Sequence, residues 1–358
     1  MSRLTIAIPT FRRPEDLKRA VGGVLEQASE LAAGPTTEAS GPRTDAEAGT
    51  EDDAAGATDA KGGAGEDVSD IEVLVIDNDA QGSGREAALA AAADAGVPVR
   101  FPADASVESG GMSVRYVVEE RPGVAAVRNR ALDETAERDL LIFIDDDEDP
   151  EPGWLAALVG LWASTGCQAV AGPVIPVYEV EPEEWVRQGE FFVRRTWPTG
   201  TVRPVAASNC LLLDLGFVRR AGLRFDEAFG ATGGEDTLFT RRLSAAGGVI
   251  RWCDEARVRD HVPASRLTRP WILRRQRSHA ATSVRVELAL AGGGVQPAIR
   301  ARAAAGGLVR IVVGGLRTAC GTLIGDPRHA AKGARLLARG RGILAASTGG
   351  GVHREYDH

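Results

Sequence analysis

The chain has 358 residues, 44% hydrophobic and 26% charged, with a formal net charge of −8. This length can bury a full core, either as one large α/β domain with an appendage or as two or three domains. The charge is concentrated: residues 28–70 hold eleven acids against Arg43 and Lys61, the remainder is close to neutral, and nothing argues for a nucleic-acid partner.

In chain order, Leu4–Ile8 is a short apolar run closed by Pro9 and reads as a buried strand. Arg3 precedes it and Pro9 stops it, so the start does not read as a signal peptide. Pro14 stands where a first helical residue belongs, followed by Glu15 and Asp16, and predicts a helix to about Gln27. Residues 28–70 have few large apolar side chains and read as a disordered acidic insertion. Further strands are predicted at Ile71–Ile76, Val114–Val118 and Leu140–Ile144, with helices over 85–96, Gly123–Ala136 and Pro152–Trp162. The alternation predicts a mainly parallel central sheet flanked by helices. Three strands end in polar clusters: Pro9-Thr10, Asp77-Asn78-Asp79 and Asp145-Asp146-Asp147. Open α/β sheets bind ligands beyond the carboxyl ends of their strands, so the three clusters are expected to face one crevice.

Four acids in a row, Asp145 to Glu148, repel one another unless a cation holds them, and carboxylates suit Mg²⁺ or Mn²⁺. Strand alternation puts Asp145 and Asp147 on one side. Gly233-Gly234-Glu235-Asp236 opens a predicted helix, and a carboxylate there suits either general-base catalysis or plain helix capping. Arg128-Asn129 offers a guanidinium fork to phosphate. The tract from Asp260 to Arg277 holds five arginines and His261, a candidate further metal ligand. Cys167, Cys210, Cys253 and Cys320 form no metal-binding spacing and read as reduced, partly buried thiols, which suits a cytoplasmic setting.

In combination, Ile6–Arg13, Val75–Asp79, Gly123 with Val127-Arg128-Asn129, Phe143–Glu148 and Gly233–Asp236 resemble glycosyltransferase family 2, the inverting family with the GT-A fold. Gly172-Pro173-Val174, Arg224-Phe225-Asp226 and Val262–Arg266 resemble its succinoglycan-type glucosyltransferase branch. The resemblance covers roughly residues 3–280 apart from the acidic insertion. It implies transfer of a sugar from a nucleotide-sugar, a UDP-sugar first, to a glycan or lipid-linked acceptor. Asp145 and Asp147 would match the DxD motif, with Asp147 binding metal. Pro9, Thr10 and Asp77 would hold the base, with Arg13, Asp79, Arg128 and Asp146 also on the donor side. Asp236 would be the catalytic base, with Glu235 as the alternative or an acceptor contact. Asn209 would face the acceptor, although Ser208-Asn209 departs from the Thr-Gly-Asn of that branch.

The expected organisation is a catalytic domain over 1–265 and a basic helical region over 266–358. Residues 301–358 carry nine basic side chains against three acids. Two amphipathic basic helices, one with Arg310 and Arg317 and one with Lys332, Arg335 and Arg339, are expected to meet an anionic membrane surface. No uncharged apolar stretch reaches the ~20 residues of a membrane span. Two rival readings stand beside the transferase: a nucleotidyltransferase, which lacks a glycine-rich phosphate cradle here, and a catalytically inactive sugar-binding scaffold.

Overall fold

The computed structural model describes residues 2–34, 68–101, 111–230 and 232–350. Strands and helices alternate through the first half: β1 (Ser2–Thr10), α1 (Pro14–Ala33), β2 (Val68–Asp77), α2 (Arg85–Asp94), β3 (Val99–Arg100), β4 (Met112–Val118), α3 (Val124–Glu134), β5 (Leu140–Ile144), β6 (Glu148–Pro150) and α4 (Trp154–Thr165). The second half runs β7 (Ala169–Ala171), β8 (Val174–Tyr178), α5 (Glu184–Gly189), β9 (Val202–Arg203), β10 (Cys210–Asp214), α6 (Leu215–Arg220), α7 (Glu235–Ala245), β11 (Ile250–Trp252), β12 (Val258–Val262), α8 (Arg269–Leu290), α9 (Gln296–Leu323) and α10 (Pro327–Ser347).

The edges of the predicted acidic insertion are corrected. Helix α1 continues to Ala33 because Ala28 and Leu31 extend the buried stripe of Leu17, Val21 and Val24. Val68 to Asp70 already pair with β1. The acidic stretch 35–67 lies outside the described residues.

Nine strands form one sheet in the order β3-β4-β2-β1-β5-β10-β7-β11-β9. From β3 to β5 every neighbour is parallel. Strand β10 runs antiparallel to both β5 and β7, so the second half is mixed. The expected layout, a large α/β sheet followed by a helical C-terminal region, is present. Both sheet faces are buried. Leu4, Ile6, Ile8, Ile142 and Ile144 point to the layer of α1, α2 and α4, where Leu17, Val21, Ala88 and Trp154 meet them. Ala7, Leu74, Leu141 and Phe143 point to the layer of α3, α6 and α7, with Val127, Val218 and Phe239. That period-two division fixes the register, since a one-residue slip would exchange the two faces. A three-stranded sheet, β6-β12-β8, stands beside the main one and carries the chain away from the acidic end of β5.

Helices α9 and α10 pack antiparallel through glycines seven residues apart. A β-carbon at Gly314 would lie 2.5 Å from the Leu337 backbone nitrogen, and one at Gly321 would lie 2.3 Å from that of Ala330. Gly333 and Gly340 meet the α9 backbone equally closely. No uncharged apolar stretch of membrane length appears in α9, which carries Arg300, Arg302, Arg310 and Arg317, yet by length and composition alone this helix is long and apolar enough to cross a bilayer. Cys167, Cys210 and Cys253 are buried free thiols, but Cys320 on α9 is exposed, contrary to expectation.

Replacing Gly314 by Ala should destabilise the chain by ~1–3 kcal/mol, because backbone stands where the methyl must go. Gly315 has nothing within 4 Å, and Gly315→Ala should be neutral or stabilising by up to about 1 kcal/mol. Urea unfolding of the two variants checks the pair; equal effects would contradict the glycine contact.

Candidate active site

The carboxyl ends of β1 and β5 lie side by side and carry the first polar groups. Thr10 Oγ1 donates to Asp146 Oδ2 at 2.8 Å. Arg13, the residue before α1, donates through Nη1 to Asp146 Oδ1 at 3.2 Å and to Asp147 Oδ2 at 2.9 Å. Arg266 reaches the same Asp147 oxygen at 3.2 Å from the opposite wall. Burial alternates along the acidic run: Asp146 and Glu148 are buried while Asp145 and Asp147 are partly open, as period two predicts. Pro9 is half-buried beside them.

The second cluster does not face the crevice as expected. Asp77 is fully buried, and its carboxylate accepts the backbone N–H of Asp79 (2.9 Å) and Gly84 (2.7 Å) and the Tyr116 hydroxyl (2.7 Å). It shapes the turn after β2 and cannot touch a base in this arrangement. Asp79, held by Arg12 at 3.3 Å, is the acid that this turn presents nearer the surface. Asn78 donates to the carbonyls of Glu119 and Arg121, both at 2.7 Å, and accepts from Gly123 N–H. Gly123 has φ 107°, and a β-carbon there would press on Gly230 at 3.4 Å, so glycine suits both the turn and the contact that start α3.

Arg128, on α3, is buried and links two of the predicted groups. It ion-pairs with Glu235 and lies 3.7 Å from Asp145. Gly234 (φ 95°) admits the turn into α7, and a β-carbon there would lie 2.1 Å from Thr282 Cγ2. That turn buries Glu235 and leaves Asp236 partly exposed. Asp236 Oδ1 accepts from the backbone N–H and hydroxyl of Thr237. Asn209 donates to Glu148 Oε1, joining β10 to the acidic run. A cavity of about 320 Å³ opens beside these groups, lined by Asn209, Thr237, Arg194, Arg203, Trp197 and Trp252.

His261 is not brought into the acidic cluster. Strand β12 pairs Asp260 with Glu148, so alternation sends His261 the other way, where Nε2 meets Asp149. Asp260 is the residue of the pair that lies toward the acids: its charge acts on Asp145 and Glu148, and Arg194 pairs with it at 3.0 Å. The sequence reading missed Asp260 because strand pairing, not sequence proximity, selects it.

Electrostatic stress concentrates here. Desolvation pushes Asp146 up to about 7 against the pull of Arg13, with Asp147 adding repulsion. Asp145 is raised by crowding among protein atoms, although 36% of its side chain is open to the crevice. Desolvation, reinforced by Asp145, puts Glu148 well above the usual carboxylate range, and desolvation also raises Asp260. Glu235 is pushed up to about 7 by burial, which outweighs the attraction of Arg128. Its second oxygen has no hydrogen-bond partner among the described residues. Clustered carboxylates offer the hard oxygen donors that suit a divalent cation such as Mg²⁺ or Mn²⁺. Asp145, Asp147 and Asp260 fit that chemistry, although no three such groups stand at ligating geometry among the described residues.

Residues 64–213 match the family model for glycosyl transferase family 2. The chain is also 33% identical over 212 residues to the succinoglycan biosynthesis protein ExoM of Rhizobium meliloti (strain 1021), covering 58% of this chain and 62% of that protein. The chain therefore matches less than two thirds of that relative's length. Among solved structures it is similar to S. aureus TarS, with a TM-score of 0.48, 10% identity, and coverage of 93% of this chain and 90% of the other. GalNAc-T7 with UDP, GalNAc and Mn²⁺ follows at 0.47 and 13%, covering 79% and 51%. The family 2 match includes Asp77, Arg128, the acidic run and Asn209, but ends before α7.

Because the Glu235 carboxyl is raised above its ordinary 4.5, its contribution to stability is full below that value and is lost as pH rises through about 7. With a chelator present, the urea midpoint of Glu235→Gln should fall less than that of the parent between about pH 5 and about pH 7.5. An equal fall in both proteins would contradict a Glu235 carboxyl raised by burial.

Proposed function

We propose that the protein is an inverting glycosyltransferase that moves a sugar from a nucleotide-sugar, a UDP-sugar first, to a hydroxyl of a glycan or lipid-linked acceptor. The observation that carries this reading is the convergence of Arg13 and Arg266 on Asp147, in an acidic run that Arg128 links through Asp145 to Glu235, the neighbour of the partly exposed Asp236. Cationic groups suit a diphosphate, and a partly exposed carboxylate suits a hydroxyl proton. The likeness to a succinoglycan biosynthesis protein supports polysaccharide or glycolipid synthesis as the setting, on the cytoplasmic side where nucleotide-sugars are made. Asp145 and Asp147, with Asp260 as the third carboxylate, would hold Mg²⁺ or Mn²⁺; when bound, the cation neutralises the diphosphate and improves it as a leaving group.

The chain's own residues perform the remaining steps. Arg13 and Arg266 orient the diphosphate by charge-assisted hydrogen bonds. Thr10 and Pro9 lie where the nucleoside end would enter, with Asp77 and Asp79, both buried, at the end of the adjoining strand. Asp236 accepts the proton of the acceptor hydroxyl as its oxygen bonds to the anomeric carbon. The bond from that carbon to the phosphate oxygen breaks, the electron pair leaves with the nucleoside diphosphate, and the configuration inverts. Glu235 is too buried to meet an acceptor, and acts with Arg128 to position Asp145 and the start of α7. Asn209 and Thr237 line the cavity where the acceptor would lie. Holding both substrates in line lowers the entropic barrier.

Asp236→Asn should lower turnover of UDP-sugar roughly 10²–10⁴-fold while leaving UDP affinity unchanged. Product formation by radiolabelled sugar transfer to a membrane-lipid extract checks this. Activity within a few-fold of the parent would remove Asp236 from the role of base, and absence of transfer from every nucleotide-sugar in the parent would favour a sugar-binding scaffold.

A further inference from the structure

We propose that the outer face of α9 is a membrane-docking surface that lies in the plane of an anionic bilayer without crossing it. This deepens the proposed function and rests on its lipid-linked acceptor. Leu308, Val309, Val312, Val313, Leu316, Leu323 and Ile324 form one stripe on the solvent side of α9 and its end, each 48–85% exposed. An exposed apolar stripe of this length on a soluble domain marks an interaction surface.

Charge selects the occupant. Residues 296–347 contain Arg300, Arg302, Arg310, Arg317, Arg328, Lys332, Arg335, Arg339 and Arg341, against the single acid Asp326. Of these, Arg302, Arg310, Arg328 and Arg341 are exposed around the two helices. A stripe of leucine and valine bordered by arginine matches an acyl layer beneath anionic headgroups. A second copy of the chain is disfavoured, because two-fold pairing through the stripe would bring two arginine-bordered faces of the same charge together.

The structure also changes which helix does this. Both C-terminal basic faces were expected to meet the membrane. Lys332 instead pairs with Glu190 at 3.1 Å, Arg335 donates to the Glu190 carbonyl, and Arg339 donates to Gln276. The basic face of α10 is therefore turned inward on α5 and α8, and of the two C-terminal helices α9 is the one that presents the apolar stripe. The same contacts argue against a crossing helix: the glycine face of α9 is closed against α10, and α10 is tied to the catalytic body. The apolar side chains would enter only the headgroup and upper acyl region, ~5–10 Å deep.

Flotation of the full chain with phosphatidylglycerol-containing vesicles, and with pure phosphatidylcholine vesicles, tests this. The parent should float with the anionic vesicles. The triple variant Leu308→Glu, Val312→Glu, Leu316→Glu should bind them at least about tenfold less, since charge replaces three buried apolar groups. Lys332→Gln with Arg335→Gln should float like the parent. UDP titration of every variant reports folding and donor binding separately, so loss of UDP binding in the parent would count against the transferase reading alone. Failure of the parent to float, flotation of the triple variant like the parent, or a parent dimer in light scattering that the triple variant makes monomeric would each overturn the proposal.

Discussion

The buried guanidinium of Arg128 is the interaction on which the site depends. It sits between Glu235 at the start of α7 and Asp145 at the end of β5, and so ties together three segments far apart in the chain. A buried charge is tolerable only when paired, and removing one partner from such a pair typically costs about 3–5 kcal/mol. The pair also separates two adjacent carboxylates. Glu235 is committed inward, while Asp236, one residue on, is partly exposed, as its proposed role as base requires.

Around that link the sheet supplies position and the arginines supply balance. Parallel β1 and β5 bring Thr10 and Asp146 within hydrogen-bond reach although they are 136 residues apart. Asp77 and Asn78, which end β2, spend their polar atoms on the turns that follow β2 and β4. Arg13, Arg194 and Arg266 offset the repulsion among the clustered carboxylates from three different elements. A site of this kind is preorganised for a ligand that is itself strongly anionic, provided a cation accompanies it.

Much of this was legible in the sequence where one short segment sets its own structure. Leu140–Ile144 is a strand at the predicted bounds, and the alternation in Asp145 to Glu148 gives the right pair of open carboxylates. What depends on long-range register was not legible. Asp260 and His261 are adjacent, and only the pairing of β12 with β6 decides which one faces the acids. The burial of Asp77 follows from the Gly84 and Tyr116 donors, which no local pattern announces. The glycine seam of α9 and α10 is visible as a seven-residue spacing, but reading it as a helix contact requires knowing that the two helices lie antiparallel. The inward turn of the α10 basic residues likewise depends on Glu190, in a region with no clear periodicity.

The central claim is that the acidic run at the end of β5 is the donor site and works with a divalent cation. Calorimetric titration of UDP into the purified chain, with and without Mn²⁺, beside Asp147→Ala, tests it most directly. The account predicts saturable binding that requires Mn²⁺ and disappears in the variant. Binding indifferent to both metal and Asp147, or no binding of UDP, GDP or dTDP under any condition, would contradict it.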